Sequence, residues 1–476
     1  MTNRRANVMT KRTISLGPML TEEQARVIFR QGEEAVVFAL LQQSKTIAEM
    51  QRQLPNSSPA TPSGMKPAYE KPPVKTGNKR LGRKNGHPGS HRSPPERIDR
   101  REEHRLPSCP ECGGKLKRCH RTRTRYIEDI PEDLKAEVVE HTIHRDWCPK
   151  CKKSVEPVVP DALPHCILGN RVLVLTAWLH YALGNTLSQI IEVFNFHLPI
   201  KLTPGGLVAQ WRRLAEIFND WYEQIHQEGL QSAVLHADET SWRVAGDTHW
   251  LWCFAANNLT YFMIDRCRGS PALLKFFTRE FSGTLVSDFW GAYNKVLCAH
   301  RQLCLVHLLR DFMIVEQYKR AGKHWPKFTK KARRLIHDAI RMGKRDGVPA
   351  EEFASRRARL DARLQELIDM PWEDSQARRL VKRLRRHQHE LFTFLDQADV
   401  PFDNNYGERS IRPAVIIRKN SYCNRSVNGA HTQAVLMSIY RTLKQRGHDP
   451  IATVTKALAE YLKTGNLTPL PQIITA

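Results

Sequence analysis

Two acidic residues stand where their carboxylates could hold metal ions. Asp238 follows the apolar pair 234–235, and Asp288 follows the apolar pair 285–286. These apolar segments predict buried strands, so each acid would stand at a strand end. Carboxylates on neighbouring strand ends can hold hard divalent cations and leave coordination positions open for phosphate oxygens and water. A third acid on a nearby helix would complete such a site, and Glu408 is the best candidate.

The segments between the two aspartates predict the scaffold that positions them. Residues 250–256 and 259–264 are apolar and rich in aromatic side chains, and the Asn-Asn pair between them is a hairpin signal. Residues 270–281 carry apolar positions after Pro271, which favours a helix opened by proline. The predicted order is therefore strand, strand, strand, helix, strand, with one acid on the first strand and another just after the fourth. Residues 300–306 predict a fifth strand. Cys304 and His307 have a Cys-x-x-His spacing, but a lone pair of this kind is more typical of packing than of a metal site.

Each acid also has an ordinary structural interpretation. An Asp that closes a strand is commonly a turn or cap residue, and a Glu-Arg pair on a helix commonly lies on a solvated face. The three acids in strand–strand–helix order favour the metal site. Glu239, Asp265 and Asp403 are the acids most easily mistaken for members of it. Glu239 neighbours Asp238 in the sequence. Because adjacent side chains on a strand point to opposite faces, these two acids do not easily bind metal at the same site.

The runs around these acids resemble the DDE transposases, and more closely the insertion sequence 66 family. The resemblance rests on runs 236–240 and 286–290, on Asn-Asn-Tyr-Gly-Glu-Arg-Ser-Ile-Arg-Pro at 404–413, and on Arg-Lys-Asn at 418–420. A Gly-His-Pro-Gly run at 86–89 is also similar, and the resemblance covers roughly residues 27–465. It implies a multidomain α+β protein. A ribonuclease-H-like α/β catalytic core with a helical insertion would follow a zinc ribbon and a helical N-terminal segment.

The same resemblance implies metal-dependent cleavage and strand transfer of the DNA of an insertion sequence. Asp238 would bridge two Mg²⁺ (or Mn²⁺) ions, and Asp288 and Glu408 would each bind one of them. Arg412 lies one turn after Glu408 and so shares its face, where it would hold a phosphate. The other residues of this region that we expect to contact DNA or orient water are Asn404, Asn405, Arg409 and Lys419.

Two Cys-x-x-Cys motifs form the strongest local signal in the sequence. Four thiolates at this spacing suit one tetrahedral, structural Zn²⁺, and the alternative is four unrelated reduced cysteines. The four cysteines are Cys109, Cys112, Cys148 and Cys151, and the nearby spare ligands are Cys119, His120, His141 and His144. Residues 122–127 and 138–147 alternate as strands of a zinc ribbon would. The arginines of this module, among them Arg121 and Arg123, are expected to contact DNA.

The charge and composition of the chain indicate which class of molecule it binds. Lys and Arg total 74 against 49 Asp and Glu, which gives a formal net charge of +25 and a pI near 9.8. This excess favours a polyanion, and double-stranded DNA (element ends and target) is the default. No apolar run reaches the roughly 18 residues needed to span a bilayer, so we expect no membrane partner. The 11 cysteines lie mostly singly. We therefore expect a reducing, bacterial cytoplasmic location associated with the nucleoid.

The composition divides the chain into successive segments. We predict a disordered basic N-terminus (1–20), a heptad-like helix (21–54), a basic Pro/Gly/Ser-rich linker (55–98), a zinc-ribbon DNA-binding domain (99–165), a helical domain (166–230), the catalytic core (231–307 and 401–425), a helical insertion (308–400) and a C-terminal helical tail (426–476).

Some interpretations of these segments stay open. The heptad positions Val36, Leu40, Gln43, Ile47, Met50 and Leu54 favour a self-associating helix over a single packed one. Residues 186–194 predict a short helix, and residues 203–221 predict one longer helix after it. Together they are either a helix-turn-helix reader or a plain helical bundle. The basic insertion is either a DNA clamp or a solvated surface. From the family we expect a homo-oligomer on DNA and small accessory proteins of the same element. A nuclease that cuts without joining and a catalytically inactive zinc-ribbon regulator are the rival functions.

Overall fold

The computed structural model describes residues 136–318, 321–344, 347–397 and 399–474. Before residue 136 it describes the run 105–116 and scattered positions between residues 26 and 127. The chain divides into two compact units, residues 1–61 and 62–476.

In the first unit, the described positions from Arg26 to Leu41 are helical except at Gly32. This agrees with the helix predicted to begin at residue 21. The predicted disordered N-terminus (1–20), the later heptad positions and most of the predicted linker lie outside the described residues.

The second unit contains all the strands and the helices whose bounds are described. The strands are β1 (Asp146–Cys148), β2 (Lys153–Val155), β3 (Val234–Val244), β4 (Asp247–Ala256), β5 (Leu259–Asp265), β6 (Phe281–Ser287) and β7 (Cys298–Leu303). The helices are α1 (Asn170–Tyr181), α2 (Leu187–His197), α3 (Pro204–Ile217), α4 (Asn219–Gly229), α5 (Ser270–Phe276), α6 (Leu305–Gln317), α7 (Trp325–Met342), α8 (Ala350–Asp369), α9 (Ser375–Arg386), α10 (Thr393–Asp396), α11 (Asn405–Ser421), α12 (Val427–Gln445) and α13 (Pro450–Thr464).

A five-stranded mixed sheet forms the centre of this unit, in the order β5-β4-β3-β6-β7. Strands β3, β4 and β5 are antiparallel neighbours, whereas β6 runs parallel to β3 and β7 parallel to β6. Ala256 pairs with Leu259, so the predicted Asn-Asn pair makes a two-residue hairpin turn. The predicted order of strand, strand, strand, helix, strand is confirmed.

Helices α1–α4 and α11–α13 share one hydrophobic core with the sheet. The segment that we predicted as one helix through Trp221 is interrupted, because α3 ends at Ile217 and α4 begins at Asn219. The break brings the rings of Phe218 and Trp221 into edge-on contact at 4.7 Å, and both are fully buried. Packing of these two rings, which helical periodicity does not encode, accounts for the interruption.

A second core joins the insertion to the edge of the sheet. Buried apolar residues of α6–α10 pack with Val286, Phe289 and Leu303. The last strand is shorter than predicted, because Cys304 already caps α6 and donates its N–H to the Ser287 carbonyl oxygen at 2.9 Å. The prediction of a strand to Val306 is therefore wrong at its end. The prediction of a helical stretch after it is confirmed.

The C-terminal tail is helical, as predicted, and its first helix, α12, packs on the sheet at β5. On α12, the hydroxyl groups of Ser438 and Thr442 accept the backbone N–H groups of Phe262 and Thr260 on the edge strand β5. These bonds satisfy edge donors that would otherwise be open to pairing with another chain. Within the described part of the chain, no helix has the length and apolar character needed to cross a bilayer.

Candidate active site

The parallel pairing of β3 and β6 places two of the three acids side by side. His236 pairs with Val286, and the same register continued by two residues brings Asp238 beside Asp288. The prediction that each acid stands at a strand end is wrong for Asp238, because β3 continues to Val244 in pairing with β4. Asp288 is the first residue after β6, and the backbone N–H of Trp290 donates to its Oδ1 at 2.8 Å. Both carboxylates are buried, with 9% of Asp238 and 4% of Asp288 exposed.

The start of α11 brings Glu408 to the same place. Asn404 caps this helix, and its Nδ2 donates to the Ala237 carbonyl oxygen at 2.9 Å, directly before Asp238. Its Oδ1 lies 2.9 Å from Nδ1 of His236. A Cβ at Gly407 would stand 2.7 Å from that Oδ1, so only glycine allows this close approach. Glu408 follows at once, in the first turn of the helix.

Asp238 lies in an environment that is unfavourable for its charged form. Burial raises the pKa of Asp238 well above its usual range, and the charges of Glu239, Asp288 and Glu408 raise it further. Oε1 of Glu408 is buried and accepts no hydrogen bond. A group of buried, mutually repelling oxygens with an unsatisfied acceptor fits a hard divalent cation.

Two basic side chains that the sequence did not point to, one histidine and one arginine, lie beside Glu408. His307 Nε2 stands 3.4 Å from Glu408 Oε1, which is ion-pair distance, and Arg310 Nη2 stands 3.9 Å from the same atom. The signal was the Cys-x-x-His spacing of Cys304 and His307, which we interpreted as packing. Cys304 does pack, since its Sγ accepts the Asn404 N–H at 3.2 Å.

Glu239 belongs to a separate buried network behind the site. Its Oε2 accepts the Tyr293 hydroxyl at 2.6 Å, and its Oε1 accepts Nε and Nη2 of Arg268 at 3.2 and 3.1 Å. The Arg268 guanidinium lies over the rings of Trp250 and Trp290, at 4.6 and 4.1 Å from their centroids. Because Trp290 also binds Asp288 through its N–H, this network supports one acid of the site from behind.

The other two acids singled out in the sequence have partners elsewhere. Asp265 pairs with Lys275 and accepts the N–H of Cys267. Asp403 accepts the backbone and side-chain N–H groups of Asn405. Both are thus held in local structural contacts.

The residues predicted to contact DNA divide into three groups. Arg409, Arg412 and Lys419 are exposed along α11. Asn404 is 1% exposed and its amide is used by the protein, whereas Asn405 is half-buried on Asp403. Arg121 and Arg123 fall outside the described residues.

The two cysteine motifs form tight turns. Gly113 N–H donates to the Cys109 carbonyl oxygen at 2.8 Å, and Cys151 N–H donates to the Cys148 Sγ at 3.4 Å. The N–H of Cys112 holds the pKa of the Cys109 thiol below its usual value, and that of Cys151 does the same for Cys148. Such turns favour thiolates, which are the form that binds zinc.

The strands of this module differ from the prediction. Within 138–147 only residues 146–147 belong to a strand, β1, which pairs with β2 around the second motif. Most of 122–127 lies outside the described residues. Among the residues that are described, which include Asp238, Asp288 and Glu408 as well as the four cysteines of the motifs, no group of three or more His, Cys, Asp or Glu side chains stands ready to hold a metal.

Comparison with known proteins decides the family. Residues 165–432, more than half of the chain, match the sequence model of the family described as Transposase IS66 family. The chain belongs to the IS66 transposase family. The matched region contains the sheet, the insertion and all three acids, so the IS66 match and the site fall on the same part of the chain.

Two relatives of this IS66-family chain come from Sinorhizobium fredii (strain NBRC 101917 / NGR234). The uncharacterized protein y4jD is 28% identical over 405 residues, which cover 76% of this chain and 76% of that protein. The uncharacterized protein y4qI is 26% identical over 292 residues, which cover 53% of this chain and 52% of that protein.

Proposed function

We propose that this IS66-family protein is a DNA transposase that binds the ends of an insertion sequence and catalyses strand cleavage and strand transfer. Asp238, Asp288 and Glu408 would hold two Mg²⁺ or Mn²⁺ ions at the site. The observations that carry this proposal are the parallel pairing that puts Asp238 of β3 next to the end of β6 and Asp288, and the bond that holds the start of α11, with Glu408, against β3. One buried oxygen of Glu408 is left without a hydrogen bond.

The bound ions would supply activation of a water or 3′-hydroxyl oxygen and stabilisation of the leaving oxygen. The protein's own part is to hold its ligands still. Asn404 fixes the start of α11 against β3, and Trp290 fixes one oxygen of Asp288. Arg310 stands near Glu408 and Arg412 is exposed one turn further along the helix, so both are suited to hold phosphate oxygens.

The architecture supports a ribonuclease-H-like core of the kind the family resemblance implies. Three antiparallel strands are followed by two that run parallel to the first, and one acid stands on the first strand and one directly after the fourth. The helical segment 308–400 separates the last strand from the helix that carries the third acid, as an inserted domain would.

We propose one structural Zn²⁺ bound by Cys109, Cys112, Cys148 and Cys151. The support is that each pair lies on its own tight turn, with backbone N–H groups favouring a thiolate. A ribbon closed in this way would present the basic residues around it, including Arg121 and Arg123, to DNA. The homo-oligomer on paired ends and the accessory proteins remain part of the proposal on the strength of the family alone.

The test is a strand-transfer assay on DNA duplexes that carry the element's own ends, with Mg²⁺. Asp238→Asn, Asp288→Asn and Glu408→Gln should each lower the rate by at least about 100-fold, because loss of even an outer metal contact costs 10- to 100-fold. Asp265→Asn is the matched control, since it alters a buried acid that pairs with Lys275, outside the site.

The products decide between this function and its rivals. Joined products from the wild-type protein support the transposase, and cut ends without joining would instead support a nuclease. Binding of end DNA without any metal-dependent cleavage would support a regulator. Full activity in any one of the three acid variants would remove that acid from the site.

A further inference from the structure

The helix that carries Glu408 ends in a protruding turn with an exposed aromatic ring. Tyr422 and Cys423, which follow α11, both have left-handed backbones, with φ of 55° and 69°. Such a conformation costs a non-glycine residue about 1 kcal/mol or more, so neighbouring contacts must hold it. The Tyr422 side chain meets solvent, with 87% of the residue exposed.

Asn424 fixes this turn to the end of the β3–β4 hairpin. Its Oδ1 accepts the indole N–H of Trp242 at 2.7 Å, and its N–H donates to the Arg243 carbonyl oxygen at 3.1 Å. Its own carbonyl oxygen accepts the N–H of Ala245 at 3.0 Å. Trp242 is 1% exposed, so the anchor is part of the core. The ring of Tyr422 is therefore presented on a fixed base.

The surroundings of this turn favour a polyanion. From residue 409 to residue 448 the chain has eight Arg and Lys residues and no Asp or Glu. Lys419 and Arg425, on either side of Tyr422 in the sequence, are exposed. Arg418 bonds to Thr240 and Ser241 on β3, so this strip of positive charge begins beside the carboxylate site.

The geometry of α11 sets the distance from that site to the ring. Glu408 and Tyr422 are fourteen residues apart, and a helix rises 1.5 Å per residue, which gives about 20 Å. At 3.4 Å per nucleotide step, this corresponds to about six nucleotides along a DNA strand. A strand whose phosphate lay at the carboxylates and which followed the basic strip would pass under Tyr422.

We propose that Tyr422 stacks on an unpaired nucleobase of the DNA strand, about six nucleotides from the phosphate held at the carboxylate site. Aromatic rings set among cations bind single-stranded DNA through base stacking, and in a paired duplex the base faces are already covered. This inference rests on the proposed function, since it takes the position of the DNA from it. A protein partner fits less well, because Lys419 and Arg425, the exposed cations on either side of the ring in the sequence, form no ion pair with an acid among the described residues.

The experiment measures binding of the full-length protein to two DNA duplexes that carry the element's end. One is fully paired, and the other has three unpaired nucleotides, with 2-aminopurine at the central one, six nucleotides from the cleavage position. Tyr422→Ala should weaken binding to the unpaired duplex roughly ten- to hundred-fold and abolish quenching of 2-aminopurine. Tyr422→Phe should keep both within about two-fold, because stacking needs the ring and not the hydroxyl.

Three results would overturn the inference. The first is unchanged DNA binding by Tyr422→Ala, and the second is an equal loss of affinity for both duplexes. The third is a change in the oligomeric state of Tyr422→Ala in the absence of DNA, which would indicate a protein interface instead. Circular dichroism and melting temperature of the two variants control for folding. Strand transfer by the wild-type protein is measured in parallel. If stacking is observed but strand transfer is not, only the proposed function is contradicted. If strand transfer is observed but stacking is not, only this inference is contradicted.

Discussion

At the scale of single residues, Asp238 has an unfavourable environment in the metal-free protein. Burial and three neighbouring carboxylates raise its pKa, so the native state binds this proton more tightly than the unfolded chain does. Its ionised form therefore destabilises the fold. The effect is absent below the unfolded pKa of about 4 and grows as pH rises toward the raised native pKa.

We therefore expect Asp238→Asn to stabilise the metal-free protein while abolishing activity. The free energy of unfolding at neutral pH should rise by about 1–3 kcal/mol, because the variant removes a buried charge that lies among other negative charges. The stability of the wild-type protein should fall with pH above about 4 more steeply than that of the variant. Urea unfolding across pH measures both quantities. Asp265→Asn, which removes an acid paired with Lys275, should instead be neutral or destabilising.

Sequence reasoning identified part of the site at this scale. The alternation of side chains along a strand was enough to separate Asp238 from Glu239, which the structure places in a network with Arg268 and Tyr293. It could not find His307, because the contact with Glu408 joins residues about a hundred positions apart and depends on how α6 packs beside α11.

At the scale of elements, the start of α11 is set by the contact of Gly407 with Asn404. We expect Gly407→Ala to destabilise the protein by about 1–3 kcal/mol and to slow strand transfer, because an added Cβ would stand 2.7 Å from an amide that is buried and bonded to β3. Thermal unfolding and transfer rates check this. Gly205→Ala is the control, since nothing lies within 4 Å of its Cβ position in the first turn of α3, and it should leave both unchanged.

The insertion is held to the active-site loop by a buried acid on α6. Asp311 is 2% exposed and accepts hydrogen bonds from Arg379 and Arg383 on α9 at 2.9–3.1 Å. The Arg383 guanidinium lies 5.2 Å from the ring centroid of Phe289, the residue after Asp288. The ion pairs of α9 with α6 thus reach the loop that carries Asp288.

Breaking this contact should affect both folding and the site. We expect Asp311→Asn to lower the free energy of unfolding by about 2–4 kcal/mol, because it leaves buried guanidinium charge without its partner. It should also raise the Mg²⁺ concentration needed for half-maximal cleavage. Glu366→Gln removes an acid from an exposed pair with Lys331 and should change neither. Equal behaviour of the two variants would contradict a role for Asp311 in holding the loop.

The order of elements in the core was predictable, because apolar runs, the hairpin signal and Pro271 are local. The interruption at Phe218, the early end of β7 at Leu303 and the short β1 were not. Each depends on partners distant in sequence, such as the core shared by α3, α4 and the sheet. Local patterns do not contain that information.

At the scale of the whole molecule, the excess of positive charge is unevenly compensated. In the insertion, many cations are paired with acids, among them Lys331 with Glu366, Arg333 with Glu316, and Arg363 with Asp338. The stretch 409–448 has no acid at all. The composition predicted a polyanionic partner, and the ion pairs in the structure add that the insertion helices offer less uncompensated positive charge than α11 and the turn after it.

Binding to DNA should therefore depend strongly on salt, and α11 should account for part of that dependence. We expect Arg409→Gln and Arg412→Gln each to reduce the slope of log affinity against log salt concentration by about 1, as loss of one phosphate contact does. Arg212→Gln is the control, because that exposed side chain already pairs with Glu216. Fluorescence anisotropy over a salt series gives the slopes. Unchanged slopes for both α11 variants would show that the bound DNA does not contact this helix.

The most direct test of the account is metal binding by the protein–DNA complex, because its central claim is that three distant acids hold one pair of ions. Titration with Mn²⁺, followed by electron paramagnetic resonance, should give two bound ions per wild-type active site, with proton release that reports Asp238. Asp238→Asn, Asp288→Asn and Glu408→Gln should each lose at least one ion, while Asp265→Asn keeps both. Two ions bound with wild-type affinity to Glu408→Gln would contradict the claim.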